Sequence, residues 1–270
     1  MRCTFIILGI TGDLAKKKII PALYRMLAED KIEDIAVIGV GRRETNPKEI
    51  IENSRKFMGK VNEKALSRLI SKTHYFRTNF EDMEGMKKLG IEIDTIEKKQ
   101  NTMGNRIFYL ATVPEHFEDI TRSIRPYAKN AKVIFEKPFG YDLASAKKMN
   151  RCIKSVFNER QIYRIDHYLG KELVQGLSIL RFSNIVFEPI WNNKYIDNVE
   201  VIISEDFGVE DRIEFYDRYG AIKDVVQNHM LQLVALVGME KPKYLNGEYI
   251  RDEKMKVLNE LETKLQNPKK

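Results

Sequence analysis

Two uninterrupted apolar runs lie within the first forty residues, TFIILGI (Thr4 to Ile10) and DIAVIGVG (Asp34 to Gly41), joined by a turn and one amphipathic stretch. A strand with one wet face alternates apolar with polar residues. A run without alternation is covered on both faces, as in a parallel sheet packed between helices. Between the runs, Ile19, Leu23 and Leu27 recur at i, i+4 and i+8 and predict a helix from about Leu14 to Glu29. Pro21 removes a donor from its ladder and predicts a kink. The alternation continues with NRIFYLAT (Asn105 to Thr112) and KVIFEK (Lys132 to Lys137) as strands. Helices are predicted near His116 to Tyr127 and Asp142 to Phe157, the second with Asp142 as its N-cap. The fold class expected is α/β, a doubly wound, Rossmann-like parallel sheet over residues 1–165. Residues 166–270 read as an incomplete α+β second domain: a helix from Lys171 to Phe182, a strand NVEVIIS (Asn198 to Ser204) and a long helix from Ala221 to Val237.

Several function classes fall away on composition. The longest apolar runs, FIIL (Phe5 to Leu8) and LQLVALVGM (Leu231 to Met239), are far short of the roughly 20 residues of a membrane span. No cleavable leader follows Met1-Arg2, so the expectation is a cytoplasmic protein with no membrane partner. Cys3 and Cys152 and the four histidines match no disulfide, zinc or redox spacing, and no metal is expected. The net charge of +7 favours an anionic partner, but the cations are scattered among acids and their longest run is Lys16 to Lys18. No nucleic-acid module accompanies them, so no nucleic-acid partner is expected. A small phosphorylated ligand accounts for the bias as well as a solvated surface does.

Between the first strand and its helix stands GITGDLAKKK, Gly9 to Lys18. Glycines there let the backbone approach a pyrophosphate while first-turn amides point at the anion. The spacing is not G-x-G-x-x-G, and an ordinary βα turn is a serious rival on the loop alone. The end of the second strand discriminates further. A carboxylate there holds a ribose 2′-hydroxyl and repels a 2′-phosphate; this chain has Arg42 and Arg43 instead, which favours NADP over NAD, with Arg42 the first choice for the contact.

The nine residues RIDHYLGKE, Arg164 to Glu172, concentrate ionisable chemistry ahead of a helix carrying Leu173, Leu177 and Leu180. His167, Tyr168 and Lys171 would cluster at its N-terminus as a phosphate or carboxylate cradle, with a capped helix and a surface ion pair as the equal alternative. In DVVQNHMLQLV, Asp224 to Val234, His229 shares a face with Ile222, Val226 and Leu233 at α-helical spacing. A histidine so placed needs a partner for its ring N–H, and Asp166 is the candidate that would make it a base.

Taken in order, GITGDLAKKK, EKPFG (Glu136 to Gly140), RIDHYLGKE and DFG (Asp206 to Gly208) with DVVQNH resemble the glucose-6-phosphate dehydrogenase family, over nearly everything from Gly9 to about Leu258. The resemblance implies an NADP-dependent oxidoreductase of carbohydrate metabolism, in the pentose phosphate pathway, acting on glucose 6-phosphate or a related sugar phosphate and giving the 1,5-lactone. It implies His229 as the base at the C1 hydroxyl, Asp166 as the residue that orients it, and Lys137, before a cis Pro138, reaching sugar and cofactor. His167, Tyr168 and Lys171 would hold the 6-phosphate, and Glu205 and Asp224 would accept from sugar hydroxyls. The cofactor would touch Gly9, Ile10, Thr11, Gly12, Asp13, Leu14, Ala15, Lys16, Arg42, Tyr109 and Lys137. The resemblance also implies a longer second domain than the one present, so the strand at 198–204 should have few neighbours. Partner subunits of a homo-oligomer or a separate complementing chain would then finish it. The alternative is a shortened protein that binds NADP and sugar phosphate without turnover.

Overall fold

A computed structural model of the chain describes residues 2–32, 34–102, 104–204, 208 and 213–261. The chain divides into two compact units, Met1–Ile165 and Asp166–Lys270.

The first unit is built on six parallel strands: β1 (Arg2–Leu8), β2 (Asp34–Gly41), β3 (Thr73–Arg77), β4 (Arg106–Leu110), β5 (Lys132–Phe135) and β6 (Ile162–Arg164). Their order is β3-β2-β1-β4-β5-β6, so the chain reverses direction of winding between β1 and β4, the place where doubly wound sheets open a crevice at their carboxyl ends. Helices α1 (Ile20–Ala28), α2 (Pro47–Glu52), α3 (Glu63–Lys72), α4 (Met83–Gln100), α5 (Phe117–Ser123) and α6 (Leu143–Lys154) cover both faces. Strand alternation sorts the apolar runs between two cores. Ile6, Ile38 and Phe108 face one core with α4, α5 and α6. Ile7, Val37 and Tyr109 face the other with α1 and α3. Neither face is left to water, which is why β1 and β2 carry no polar alternation.

The first helix differs from its prediction. Residues Ala15–Ile19 form a π-helix, with the Ile20 amide donating to the Ala15 carbonyl, and the α-helical ladder begins at Ile20 with Pro21 in its first turn. A proline cannot donate to the fourth residue before it, so the widened turn ahead of Pro21 takes up the mismatch that would otherwise appear as a kink. Asp142 caps α6 as expected, accepting from the Ser145 amide at 2.7 Å in a reciprocal capping box.

The second unit comprises α7 (Glu172–Phe182), α8 (Ile213–Ala221), a π-helix over Ile222–Met230 that continues into α9 (Leu231–Gly238), and α10 (Gly247–Glu260). Arg181 organises it. Its buried guanidinium donates to the Leu236 and Met239 carbonyls, at 2.5 and 2.9 Å, and lies against the rings of Phe182 and Trp191. A cation on the last carbonyls of α9 complements the helix dipole there.

The strand expected over Asn198–Ser204 is not formed: these residues carry neither strand nor helix, and Ile202 is 81% exposed. A strand exists only through its ladder, and among the described residues the second unit offers it no partner. Of the apolar stripe read on α7, Leu173 is 90% exposed and Leu180 is exposed, while Leu177 packs inward with Val174 and Phe182.

Candidate active site

The first unit carries a nucleotide-type crevice at the carboxyl end of β1. Gly9 sits at φ +97°, a conformation that favours glycine. A Cβ at that position would stand 2.6 Å from the Ala111 carbonyl oxygen, so only glycine lets the loop cross so close to β4. The Gly12 amide closes the turn by donating to the Gly9 carbonyl at 3.0 Å, and the Lys16 amide donates to Gly12 at 3.0 Å. No side chain caps the helix that begins at Ala15, and an uncapped helix start beside a loop favours an anion there. Within the loop Ile10 and Ala15 are buried, Thr11 and Leu14 are partly buried, and the exposed Asp13 is turned back to Lys17 at 3.0 Å.

Two glycines of β2 that sequence reasoning passed over are part of this construction. A Cβ on Gly39 would collide with Ile10 Cδ1 at 2.4 Å, and one on Gly41 would crowd Thr11 Oγ1 at 3.2 Å. Their signal was present in the alternation of GVG, both glycines facing the loop. Beside them lies a cavity of 140 Å³ lined by Ile10, Thr11, Lys16, Arg43, Glu44, Thr45, Glu49, Ile50 and Asn53. It suits a phosphate and part of a ribose rather than a whole dinucleotide. Of the two arginines at the end of β2, Arg43 lines the cavity and Arg42 does not. The Arg42 side chain is exposed, and its carbonyl accepts from Arg77 Nε at 3.3 Å.

Tyr109, on β4, is buried and its hydroxyl donates to Glu136 Oε1. Burial first, then the Glu136 carboxylate, pushes the phenol well above its ordinary value, so it keeps the proton it donates. This bond anchors the turn after β5, in which Glu136 is followed by Lys137 and the cis peptide bond to Pro138.

The second unit brings the segment Asp166–Lys171 against His229. His229 is 2% exposed, and its Nδ1–H donates to Asp166 Oδ1 at 2.6 Å. The same oxygen accepts the Tyr168 amide at 2.9 Å, capping the short turn His167–Gly170. Asp166 is thus fixed by the backbone before it orients the imidazole. Tyr168 stacks on the His229 ring, centroids 4.2 Å apart at 19°, and Lys171 Nζ lies 3.6 Å from the Tyr168 ring centroid. The exposed His167 ring meets His229 edge to face at 4.6 Å. Donor atoms of Asp166, His167 and His229 lie within 4.8 Å of one another. Asp166 and His229 are already committed to each other, so the arrangement is an acid–base pair rather than an ion cage.

The geometry around His229 departs from the α-helical reading in an informative way. Ile222 is 70% exposed and Val226 37% exposed, whereas Asp224 and His229 are buried. These two acidic and basic residues are five apart, and in a π-helix, which closes i to i+5, positions five apart share a face. An α-helical period grouped His229 with the isoleucine; the wider turn groups it with Asp224. Glu205 falls outside the described residues, and Lys137 belongs to the first unit.

Comparison with known proteins matches this arrangement to one family over almost the whole chain. Residues 6–176 match the model described as glucose-6-phosphate dehydrogenase, NAD binding domain, and residues 178–269 match that of its C-terminal domain. The chain belongs to the glucose-6-phosphate dehydrogenase family. Among curated members of that family, a glucose-6-phosphate 1-dehydrogenase of Bacillus subtilis is 40% identical over 266 residues, covering 96% of this chain and 54% of the relative. A chloroplastic glucose-6-phosphate 1-dehydrogenase of Spinacia oleracea is 41% identical over 269 residues, 96% of this chain and 46% of the relative. A solved glucose-6-phosphate dehydrogenase in complex with its substrate glucose-6-phosphate superposes with a TM-score of 0.87 at 34% identity, covering 96% of this chain and 55% of that one. The chain therefore spans about half the length of the glucose-6-phosphate dehydrogenases it matches. Among the described residues, no helix is long and apolar enough to cross a membrane.

Proposed function

We propose that the protein oxidises glucose 6-phosphate, or a related sugar phosphate, at C1, giving the 1,5-lactone and NADPH. The observation that carries the reading is the buried pair of His229 and Asp166, with the imidazole Nδ1 held 2.6 Å from the carboxylate. The Nε2 lone pair takes the proton of the C1 hydroxyl as the C1–O bond becomes a carbonyl. Asp166 then faces an imidazolium, whose charge it stabilises within a desolvated site. Lys171 and His167, beside the Tyr168 ring, present the cations for the 6-phosphate, and the buried Asp224 shares the His229 face as an acceptor for a sugar hydroxyl. Lys137, on the turn anchored by Tyr109 and Glu136, is assigned to the sugar and cofactor.

NADP, when bound, supplies the hydride acceptor. The residues present fit such a group: the Gly9 crossing that a Cβ would block and the uncapped helix after it suit a pyrophosphate. Lys16 and Arg43 in the adjoining cavity suit a 2′-phosphate. Domain limits of 1–165 and 166–270 assign the nucleotide to the first unit and the sugar to the second.

The test is NADPH absorbance on mixing the protein with glucose 6-phosphate and NADP, abolished in His229→Ala. One observation favours a second reading. Residues 198–204 pair with no strand among the described residues, which suits a protein that binds both ligands and needs a further segment, or a second copy of itself, beside this stretch for turnover. Tight NADP binding with no NADPH formed would support that reading against the first.

A further inference from the structure

Arg164 opens the segment that carries Asp166, His167, Tyr168 and Lys171, and the dehydrogenase reading gives it no task. The fold nevertheless holds it closely. Arg164 ends β6, in register with Phe135 of β5. Its Nη1 donates to Glu159 Oε1 at 2.6 Å and its Nη2 to Asn150 Oδ1 on α6 at 2.7 Å. A single exposed ion pair leaves an arginine largely free to swing. Two acceptors on separate segments fix the fork of the guanidinium. So held, its central carbon lies 5.1 Å from the centroid of the Phe139 ring, within the range of a cation over an aromatic face. Phe139 also meets Phe135 edge to face, with centroids 6.1 Å apart at 88°.

Phe139 stands two residues after Lys137. Only Pro138 separates them, and the proline ring fixes its own φ, so a shift of the aromatic passes to the lysine with little slack. The turn is fastened at its start by the Tyr109 hydroxyl on Glu136. At its end Gly140 passes so near α6 that a Cβ would stand 2.6 Å from the Ala146 amide nitrogen. We propose that Arg164 is a positioning residue for Lys137: its guanidinium, oriented by Glu159 and Asn150, presses Phe139 onto Phe135 and thereby sets where the turn presents the lysine. Tyr109 and Arg164 thus hold the two sides of one turn, from β4 and from β6.

The kinetic part of this proposal rests on the dehydrogenase reading, so its experiment has an arm that needs no turnover. In lysine Cε-labelled protein studied by NMR, Lys137→Arg identifies the Lys137 signal. That signal is expected to move in Arg164→Met, which keeps the apolar stem, and in Phe139→Leu. Arg164→Lys, the milder change, is expected to move it less and in the same direction, and it decides the matter if the methionine variant does not fold. In the second arm each of Arg164→Met and Phe139→Leu is expected to lower kcat about tenfold, because small misplacements of a reacting geometry are costly. The double variant is expected to lose no more than about tenfold, since both changes break one contact. A Lys137 signal unmoved by the Arg164 variants overturns the proposal, as does a double variant that loses about a hundredfold. A moved signal in a protein that forms no NADPH upholds the positioning and sinks the dehydrogenase reading instead.

Discussion

Replacing Asp166 by asparagine isolates the one interaction on which catalysis is argued to depend. Asparagine is nearly the same size and retains an oxygen for the Tyr168 amide, so the turn His167–Gly170 remains capped. What changes is the partner of a histidine only 2% exposed. A hydrogen bond to a charged group contributes about 1.5–3 kcal/mol, and the imidazolium formed on proton transfer would have lost its carboxylate in a site with little water to replace it. The amide NH2 can also donate to Nδ1, which places the ring proton on Nε2 and removes the base. Together these amount to about 2–4 kcal/mol of transition-state stabilisation, a fall in kcat of about thirtyfold to about a thousandfold. Lys171 and Tyr168 are untouched, so KM for glucose 6-phosphate should stay within about threefold. Initial rates of NADPH formation across both substrate concentrations measure the split. A variant with kcat within about threefold of the parent would refute the dyad, because no other part of the argument makes His229 a base.

Three further outcomes follow from the first unit. Arg43→Ala should weaken NADP binding by about ten- to a hundredfold while leaving NAD binding nearly unchanged, and Arg42→Ala should do less; calorimetric titration of both nucleotides decides between the two arginines. Gly9→Ala forces a side chain into a positive-φ position 2.6 Å from a carbonyl oxygen and should cost about 2 kcal/mol or more, seen as a lower melting temperature together with lost nucleotide affinity. Tyr109 remains protonated when folded, because burial and Glu136 raise its pKa, but ionises when unfolded above about pH 10. The native state therefore binds the extra proton, and stability present below that pH is lost as pH rises, by at most about 1.4 kcal/mol per pH unit. Urea unfolding across that range should show a shallower alkaline loss in Tyr109→Phe.

The sheet was legible because burial on both faces leaves a local mark. The apolar run Asp34 to Gly41 is β2 to the residue and the run Asn105 to Thr112 contains β4, while the run Thr4 to Ile10 overlaps β1, which begins and ends two residues earlier. Asp166 and His229, 63 positions apart, could be paired because a buried imidazole needs a carboxylate and the nine-residue segment contained one. What escaped was set by geometry without a compositional signature. Nothing in IKDVVQNHM marks a helix that closes i to i+5 rather than i to i+4, so an α-helical reading puts Ile222 and Val226 on the inward face. NVEVIIS has the β-branched content of a strand, but pairing is a property of two segments, and only one was in view.

The widened helical turn over Ile222–Met230 makes the direction of the His229 ring a matter of winding. Wound as an ordinary α-helix, at about 100° per residue, the same residues would carry the imidazole round to the side of Ile222 and away from Asp224. Every chemical group would still be present, yet the proposed base would face elsewhere. The pitch of this stretch is thus as much a part of the proposed chemistry as the identity of the base, and a substitution that favoured the tighter turn would misdirect the ring while sparing every ligand.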